Sequence, residues 1–156
     1  MRAPRIGLWV AAAIFSLPLP VMSAGDAPGV SGTVTFFYYK DLDAQVPFYE
    51  GVLQLTASMN EDWVKIYPIT ETASVGLVLD GRGYHRVAAD KPAMLSIVTD
   101  DVDAWYERIR QSGVPVLSEL PPRTAQPGVG GAPVRGFMVE DPGGYTIEFF
   151  SWRKAR

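Results

Sequence analysis

The sequence predicts an α+β fold built from two βαβββ repeats. Two segments, 33–53 and 93–112, share one layout: an apolar strand, an Asp-apolar-Asp junction and a helix that carries aromatic residues. Each is followed by three short stretches rich in β-branched and aromatic residues, which favour strands. A repeat that cannot bury its own apolar face packs against its twin, and small ligands tend to bind in the hollow between such twins.

The first repeat spans 33–80 and begins with a strand at 33–39. Asp41 or Asp43 is expected to cap a helix that ends near Leu53. A polar turn is expected to join the last two of the three strands that follow. These three strands are predicted at 54–59, 63–69 and 74–80.

The second repeat spans 93–152 and has the same order. Its helix is expected to end at Gly113, and Asp141-Pro-Gly-Gly is expected to form a tight turn. The segment from Pro121 to Pro133 is rich in proline and glycine, which predicts a loop. The predicted elements are strands at 94–99, 115–119, 134–140 and 145–151 and a helix at 101–112.

The N-terminus has the layout of a secretory signal. Arg2 and Arg5 precede an apolar run that small residues follow. We expect a signal peptide at 1–24, cleaved after Ser23 or, as we favour, after Ala24, and a flexible lead-in at 25–32. The mature protein is then periplasmic or secreted. A retained membrane anchor is the alternative, but the run is shorter than the roughly 20 residues that a spanning helix needs.

Composition narrows the classes of function. The chain has 156 residues, which is enough for one domain with a core, and a net charge of -3. A nucleic-acid partner would need a clustered basic face, so none is expected. The sequence has no cysteine, which excludes disulfides and thiol nucleophiles. No membrane partner is expected after signal cleavage, and a homodimer is one possible assembly.

Three motifs are spread along residues 33–152. They are Asp41-Leu-Asp with Phe48-Tyr-Glu-Gly-Val-Leu, Asp101-Val-Asp-Ala-Trp-Tyr-Glu-Arg-Ile, and Glu140-Asp-Pro-Gly-Gly-Tyr-Thr-Ile-Glu-Phe. Together they resemble the vicinal oxygen chelate superfamily, which includes glyoxalase I, extradiol dioxygenases, and fosfomycin and bleomycin resistance proteins. The resemblance implies a curved, mixed eight-stranded sheet with helices on the outside, over residues 33–153.

The resemblance also implies where a metal is to be looked for. In this superfamily the metal, where present, lies inside the curve and is held by the first and last strands of each half. The matching positions here are Val34, Gly76 or Leu77, Met94 and Glu148. Only Glu148 is of a ligand type, and a divalent metal needs several such side chains. We therefore expect no metal at the usual site and no cofactor, with Glu148 hydrogen-bonded in the cavity wall.

Strand alternation predicts which side chains line the concave face. The face is mostly apolar and aromatic, which is typical of a small-molecule site, although such a stripe also occurs in ordinary cores. The loop residue His85 either folds over it as a lid residue or is simply solvated, which is the commoner case for a lone loop histidine. The predicted ligand-binding residues are Phe36, Tyr38, Trp63, Lys65, Tyr67, Met94, Ser96, Glu148, Phe150 and His85.

The leading interpretation is an exported, metal-independent protein that binds a small apolar or aromatic molecule. One alternative is a glyoxalase-like, metal-dependent isomerase, lyase or dioxygenase. Another is a metal-free enzyme that uses Lys65 and Glu148 as an acid/base pair, with Tyr38 as a further catalytic candidate. The last is an interaction module in which the halves of two chains exchange, giving a dimer with its sites at the interface. The sequence leaves open whether any reaction is catalysed.

Overall fold

The computed structural model of the chain describes residues 28–123 and 134–152. All the elements below belong to the structural unit that begins at Ser31. The predicted signal peptide, most of the lead-in and residues 124–133 of the proline-rich loop lie outside the described residues. Over the part of the chain that is described, no helix is both long and apolar enough to cross a bilayer.

Strands and short helical segments alternate in the order βαβββ, twice. The strands are β1 (Thr33–Tyr39), β2 (Met59–Glu61), β3 (Val64–Pro68), β4 (Ala73–Leu79), β5 (Met94–Val98), β6 (Val116–Ser118), β7 (Val134–Glu140) and β8 (Thr146–Trp152). The helical segments are a 3₁₀ turn (Asp43–Gln45), a π-helical segment (Pro47–Val52) and the helix α1 (Val102–Ser112). The predicted fold class is confirmed.

The strands are divided between two four-stranded mixed sheets. Their orders are β1-β4-β3-β2 and β5-β8-β7-β6. In each sheet the first and last strands of the repeat run parallel, and the other pairs are antiparallel. The strands β1 and β5 therefore occupy equivalent positions, each at one edge of its own sheet.

Asp41, one of the two predicted caps, lies two residues before the first helical region, which begins at Asp43. Its Oδ1 atom accepts hydrogen bonds from the backbone N–H groups of Asp43 (2.9 Å) and Ala44 (3.2 Å). The region is a 3₁₀ turn followed by a π-helical segment, where the sequence predicted one regular helix. Pro47 stands at the start of the second segment, a position that needs no backbone N–H donor.

The strand predicted at 54–59 is wrong. Gln54 has a φ of 56°, in the left-handed region, which ends the helical segment and prevents an extended backbone there. The N–H of Leu55 then bonds back to the carbonyl of Tyr49, at 3.0 Å. The extended chain starts only at Met59. In the second repeat α1 ends as predicted, at Gly113, whose φ is 77°.

The two sheets share one hydrophobic core, to which each contributes one face. Val75 and Leu77 of β4 and Ile147 and Phe149 of β8 are fully buried, as strand alternation predicted. We call these sides the core faces. The opposite sides, which carry Phe36 and the other even-numbered residues of β1, β4, β5 and β8, are called the open faces.

Contacts between the halves are made through the core faces and the helices. The ring of Phe37, on β1, stacks on that of Tyr145 with the centroids 4.0 Å apart. The guanidinium of Arg108, on α1, donates hydrogen bonds to the carbonyls of Val52 (2.6 Å) and Gly51 (3.2 Å) in the first repeat. The open faces of both sheets are consequently turned away from the core that joins them.

Candidate functional site

The open face of the first sheet is set by strand register. Phe36 pairs with Gly76 and Tyr38 with Val78 across β1 and β4. On the other side of β4, Ile66 of β3 pairs with Gly76. Because paired residues in a sheet point to the same side, these side chains form one surface. Its larger apolar and aromatic members are Val34, Phe36, Tyr38, Met59, Val64, Ile66 and Val78, and Glu61, Pro68, Ser74 and Gly76 share the same side.

The prediction that Lys65 and Tyr67 lie on this surface is wrong. Lys65 pairs with Leu77 and Tyr67 with Val75, so both belong to the core face. Successive side chains of a strand point to opposite faces of the sheet. A face assignment that is displaced by one residue therefore puts every side chain of the strand on the wrong face. In the segment from Trp63 to Tyr67, odd-numbered and even-numbered positions both carry apolar or aromatic side chains. Its sequence therefore did not indicate which set of side chains faces the core.

Tyr67, on the core face, is held by contacts within the protein core. It is fully buried, its ring stacks on that of Tyr49 at 5.5 Å, and its hydroxyl donates to Glu50 Oε1 at 2.9 Å. Burial, together with this hydrogen bond, raises the pKa of Tyr67. Lys65 Nζ donates to Asn60 Oδ1 at 2.5 Å. These contacts tie β3 to its neighbours and leave both side chains away from the open face.

A cavity of about 310 Å³ lies on the open face of the first sheet. Trp63, in the turn before β3, forms part of its wall as predicted, beside Phe36 and Tyr38. Sequence reasoning missed Val64 and Ile66, whose side depends on the register of β3, and it also missed Met59 and Gly83. Val78 of β4 completes the wall.

Two glycines let the cavity take this shape. A Cβ on Gly76 would stand 2.4 Å from the ring of Phe36, so the ring lies directly over the bare backbone. A Cβ on Gly83 would stand 2.7 Å from the ring of Tyr38 and 2.8 Å from Val78, so the loop after β4 approaches the sheet closely. Real Cβ atoms do not approach other atoms this closely, so a larger residue at either place would displace these neighbouring side chains.

The loop brings His85, which is exposed, against the ring of Tyr38. Its ring meets the ring of Tyr38 edge-on, with the centroids 5.6 Å apart, and that of Tyr84 at 4.9 Å. Arg86 fixes the loop by pairing with Asp80 at 3.0 Å. His85 thus contacts one cavity residue, Tyr38, and is itself not part of the cavity wall as described.

The other predicted ligand-binding residues lie on the open face of the second sheet. Ser96 pairs with Glu148, and Ser96 Oγ donates to Glu148 Oε2 at 2.6 Å. Met94 lies beside them on β5, and Phe150 follows on β8. This surface is a second group, separate from the cavity on the first sheet.

Lys65 and Glu148 do not form the ion pair on which the acid/base hypothesis depends. Lys65 lies on the core face of the first sheet and donates to Asn60, whereas Glu148 accepts from Ser96 on the second sheet. The ion pairs among the described residues are those of Arg86 with Asp80, and of Arg123 and Arg135 with Asp103.

The metal-ligand positions implied by the resemblance were compared with the side chains present. Val34, Gly76 and Met94 supply no hard donor, and Glu148 is engaged by Ser96. Divalent metals of this kind take nitrogen or oxygen ligands. Within residues 28–123 and 134–152, no group of three or more His, Asp or Glu side chains converges on one point. The donor set does not fit a metal ion at this place.

A larger cavity, of about 380 Å³, lies where the chain leaves β1. Lys40, Gln45, Lys91 and Gly143 contribute to its walls, so its lining is mixed in polarity. Gln45 Oε1 is buried there and makes no hydrogen bond within the described residues. We regard the smaller cavity as the candidate site because its wall is almost wholly apolar and aromatic, the usual lining of a small-molecule pocket.

Comparison with protein families gives one match. The model of the glyoxalase/bleomycin resistance protein/dioxygenase superfamily matches residues 33–149. The chain belongs to this superfamily. The match covers both βαβββ repeats, in agreement with the resemblance to the vicinal oxygen chelate proteins. A comparison with curated protein sequences gives no significant match.

Solved structures of the superfamily have the same fold. A glyoxalase/bleomycin resistance protein/dioxygenase from Nocardioides is 20% identical, with a TM-score of 0.65, over 87% of this chain and 89% of that one. The lactoylglutathione lyase of Agrobacterium tumefaciens is 20% identical, with a TM-score of 0.61, over 80% and 96% of the two chains. A superfamily protein from Alicyclobacillus acidocaldarius is 20% identical, with a TM-score of 0.61, over 79% and 92%. At these identities the likeness extends to the fold alone.

Proposed function

We propose that this superfamily protein binds a small apolar or aromatic molecule against the open face of its first sheet. The observation that carries the proposal is the cavity of about 310 Å³ between Phe36, Tyr38 and Trp63. Ligand pockets usually range from about 300 to 1,000 Å³. The cavity is therefore at the small end of that range and suits a molecule of one or two rings.

The chemistry of the wall supports this class of ligand. Burying apolar surface contributes about 25 cal/mol per Å², and aromatic rings that stack on each other add about 0.5–1.5 kcal/mol. Phe36 and Trp63 are 47% and 40% exposed, so both keep ring surface with which a ligand can pack. The hydroxyl of Tyr38 supplies a polar group in a wall that is otherwise apolar.

Binding can be measured with dansylamide, a two-ring probe whose fluorescence rises in an apolar site. The purified protein is expected to bind this probe, and Phe36→Ala and Met59→Ala are expected to weaken binding by about 10-fold and about 3-fold, as lost packing of roughly 1 kcal/mol implies. The matched control is Leu117→Ala, because Leu117 is 54% exposed on a short strand of the other sheet. No binding by the unaltered protein, or equal loss in all three variants, contradicts the proposal.

We propose further that binding does not require a metal. The support is the donor set: the side chains at the usual ligand positions are those of Val34, Met94, Gly76 or Leu77, and Glu148. Elemental analysis of the purified protein is expected to show far less than one transition metal per chain, and chelation is expected to leave probe binding unchanged. One tightly held Zn, Ni, Fe or Mn per chain, lost on Glu148→Gln, would show a metalloprotein and favour the glyoxalase-like enzymes.

We also propose that the protein is exported. The support is the order of charged, apolar and small residues at 1–24. Mass spectrometry of the protein from its native host is expected to show a chain that begins at Gly25, in the periplasmic or secreted fraction. A full-length chain in the cytosolic or membrane fraction contradicts this.

A further inference from the structure

We propose that the cavity of about 380 Å³ beside the end of β1 binds a small carboxylate that carries a hydroxyl group. Apart from Tyr38, the wall of this cavity shares no described residue with the cavity on the open face, so its occupancy does not depend on the proposed function. Three features of the described residues support this second site: a buried acceptor without a donor, an excess of positive charge, and walls that are fixed by hydrogen bonds.

The first feature is the side-chain amide of Gln45, which lies at the buried floor of the cavity and is 4% exposed. Its Nε2 donates to the backbone carbonyl of Asp41 at 3.1 Å. Because a carbonyl oxygen only accepts hydrogen bonds, this contact fixes which end of the amide is the nitrogen. The other end, Oε1, accepts no hydrogen bond from the described residues. A buried acceptor without a donor lowers stability, so a ligand that offers an O–H or N–H group is favoured there.

The second feature is the charge of the wall, to which Lys40, Asp41 and Lys91 contribute. The Oδ1 atom of Asp41 already accepts two backbone N–H groups of the first helical region. Neither lysine forms an ion pair with any described residue. The Nζ atom of Lys91 lies 4.8 Å from the ring centroid of Tyr145, which holds it beside the turn before β8. The wall therefore has a net positive charge, which favours an anionic ligand.

The third feature is that hydrogen bonds fix the segments around the cavity. The N–H of Gly143 donates to Asp141 Oδ1 at 2.9 Å, which holds the turn before β8. In the loop between the repeats, the N–H of Val87 donates to Asp80 Oδ1 at 3.1 Å. A Cβ built on Gly143 would stand 3.4 Å from Gln45 Oε1, so the turn packs directly beside the unpaired acceptor. Walls that are already ordered lose little conformational freedom when a ligand binds.

The three features together select the class of ligand. A carboxylate pairs with the ammonium groups of Lys40 and Lys91, and a hydroxyl on the same molecule donates to Gln45 Oε1. An ammonium group also donates, but the net positive charge of the wall disfavours it. The cavity exceeds the roughly 300 Å³ at which ligand pockets usually begin. Hydroxycarboxylates of a few carbon atoms fit these requirements, and malate, which offers two carboxylates and one hydroxyl, is a suitable probe.

Isothermal titration calorimetry with malate and succinate tests the acceptor, because these dicarboxylates differ by one hydroxyl. The unaltered protein is expected to bind malate about 10-fold more tightly than succinate, equivalent to about 1.4 kcal/mol. Gln45→Met removes the acceptor and is expected to bind both acids equally. The matched control is Gln111→Met, at an exposed position of α1, which is expected to keep the preference for malate. No binding of malate by the unaltered protein, or a preference that survives Gln45→Met, overturns the proposal.

The lysines are tested separately, and their variants keep the proposal testable if Gln45→Met does not fold. Lys40→Met and Lys91→Met are each expected to weaken the binding of malate and of succinate by about 3-fold, as for other partly exposed ion pairs. The matched control is Lys65→Met, which changes the net charge equally but lies outside the cavity and donates to Asn60. It is expected to leave both affinities unchanged. Equal loss in all three variants would show that net charge alone attracts the anion, which overturns the site.

Two further titrations define the ligand and the place where it binds. Aspartate, which has an ammonium group in place of the hydroxyl, is expected to bind more weakly than malate, and tighter binding overturns the choice of a hydroxyl donor. Malate is expected to leave dansylamide bound on the open face, and displacement of dansylamide overturns the second site. Malate binding without dansylamide binding overturns the proposed function alone. Dansylamide binding without malate binding overturns the hydroxycarboxylate site alone.

Discussion

The hydroxyl of Tyr39 donates a hydrogen bond of 2.5 Å to Asp141 Oδ2, across 102 positions of sequence. Tyr49 donates to the same oxygen at 2.9 Å, and the two hydroxyls lie 3.0 Å apart. The other oxygen, Oδ1, accepts the backbone N–H groups of Gly143 and Tyr145 at 2.9 Å each. One carboxylate thus joins β1 and the first helical region to the turn before β8.

We expect Asp141→Asn to lower the free energy of unfolding by about 2–4 kcal/mol, because hydrogen bonds to a charged, buried acceptor are worth roughly 1.5–3 kcal/mol each. Asp141 is 2% exposed, so water cannot replace the lost acceptor. Urea denaturation followed by circular dichroism measures the change. Asp90→Asn, at an exposed loop position, is the control and is expected to change stability little. Equal stability of the two variants would show that the cluster does not hold the halves together.

The buried tyrosines predict instability at alkaline pH. Burial, followed by the neighbouring hydroxyl and carboxylate, raises the pKa of Tyr39, and burial with the Asp141 charge raises that of Tyr49. Tyr67 is shifted in the same direction. A pKa raised by folding gives stability that is complete below the unfolded value of about 10 and is lost above it, by about 1.4 kcal/mol per pH unit for each group.

Tyrosinate absorbance during an alkaline titration checks this. Tyr39, Tyr49 and Tyr67 are expected to stay protonated until the chain unfolds, and then to ionise together with the loss of circular dichroism. Reversible ionisation of all seven tyrosines with the fold intact would contradict the prediction.

The ion pair at the start of α1 predicts a loss of stability in acid. A hydrogen bond from Arg135 has the largest effect and lowers the pKa of Asp103. Burial opposes it, and the charge of Arg135 and then Arg123 lower the pKa further. A lowered pKa gives stability that is present above the unfolded value, about 4, and is lost as pH falls through the folded value.

We expect Asp103→Asn to lower stability at neutral pH by about 0.5–1 kcal/mol, as for other partly exposed pairs. The difference is expected to shrink as the pH falls below 4. The control is Asp43→Asn, the exposed equivalent in the first repeat. Urea denaturation at several pH values measures both variants, and a pH-independent difference would assign the effect of Asp103 to something other than its charge.

Gly76→Ala tests the shape of the cavity. The added Cβ meets the ring of Phe36, which must move, at a cost of about 1–3 kcal/mol for overpacking. We expect lower thermal stability and weaker probe binding. Gly51→Ala is the control, because no atom lies within 4 Å of a Cβ built there, and it is expected to leave both quantities unchanged or to raise stability slightly. Equal behaviour of the two variants would show that Phe36 does not lie over Gly76.

The elements that the sequence predicted well are those with local signals. The capping carboxylate of Asp41, the end of α1 at Gly113 and the turn at Asp141 follow from side chains and glycines that act within a few residues. The strand expected at 54–59 failed because the left-handed turn at Gln54 has no glycine to mark it. The helical segments of the first repeat are short and irregular. Its residue pattern therefore indicated only that a helical region was present.

By itself, the sequence determined the superfamily, the repeated βαβββ order and the apolar character of the open faces, because motifs and strand alternation are local properties of a chain. Tertiary structure decided the rest. The register of β3 placed Lys65 and Tyr67 on the core face, and the packing of Tyr39 and Tyr49 on Asp141 turned both open faces outward. Register and packing depend on partners that are distant in sequence, so no local pattern encodes them.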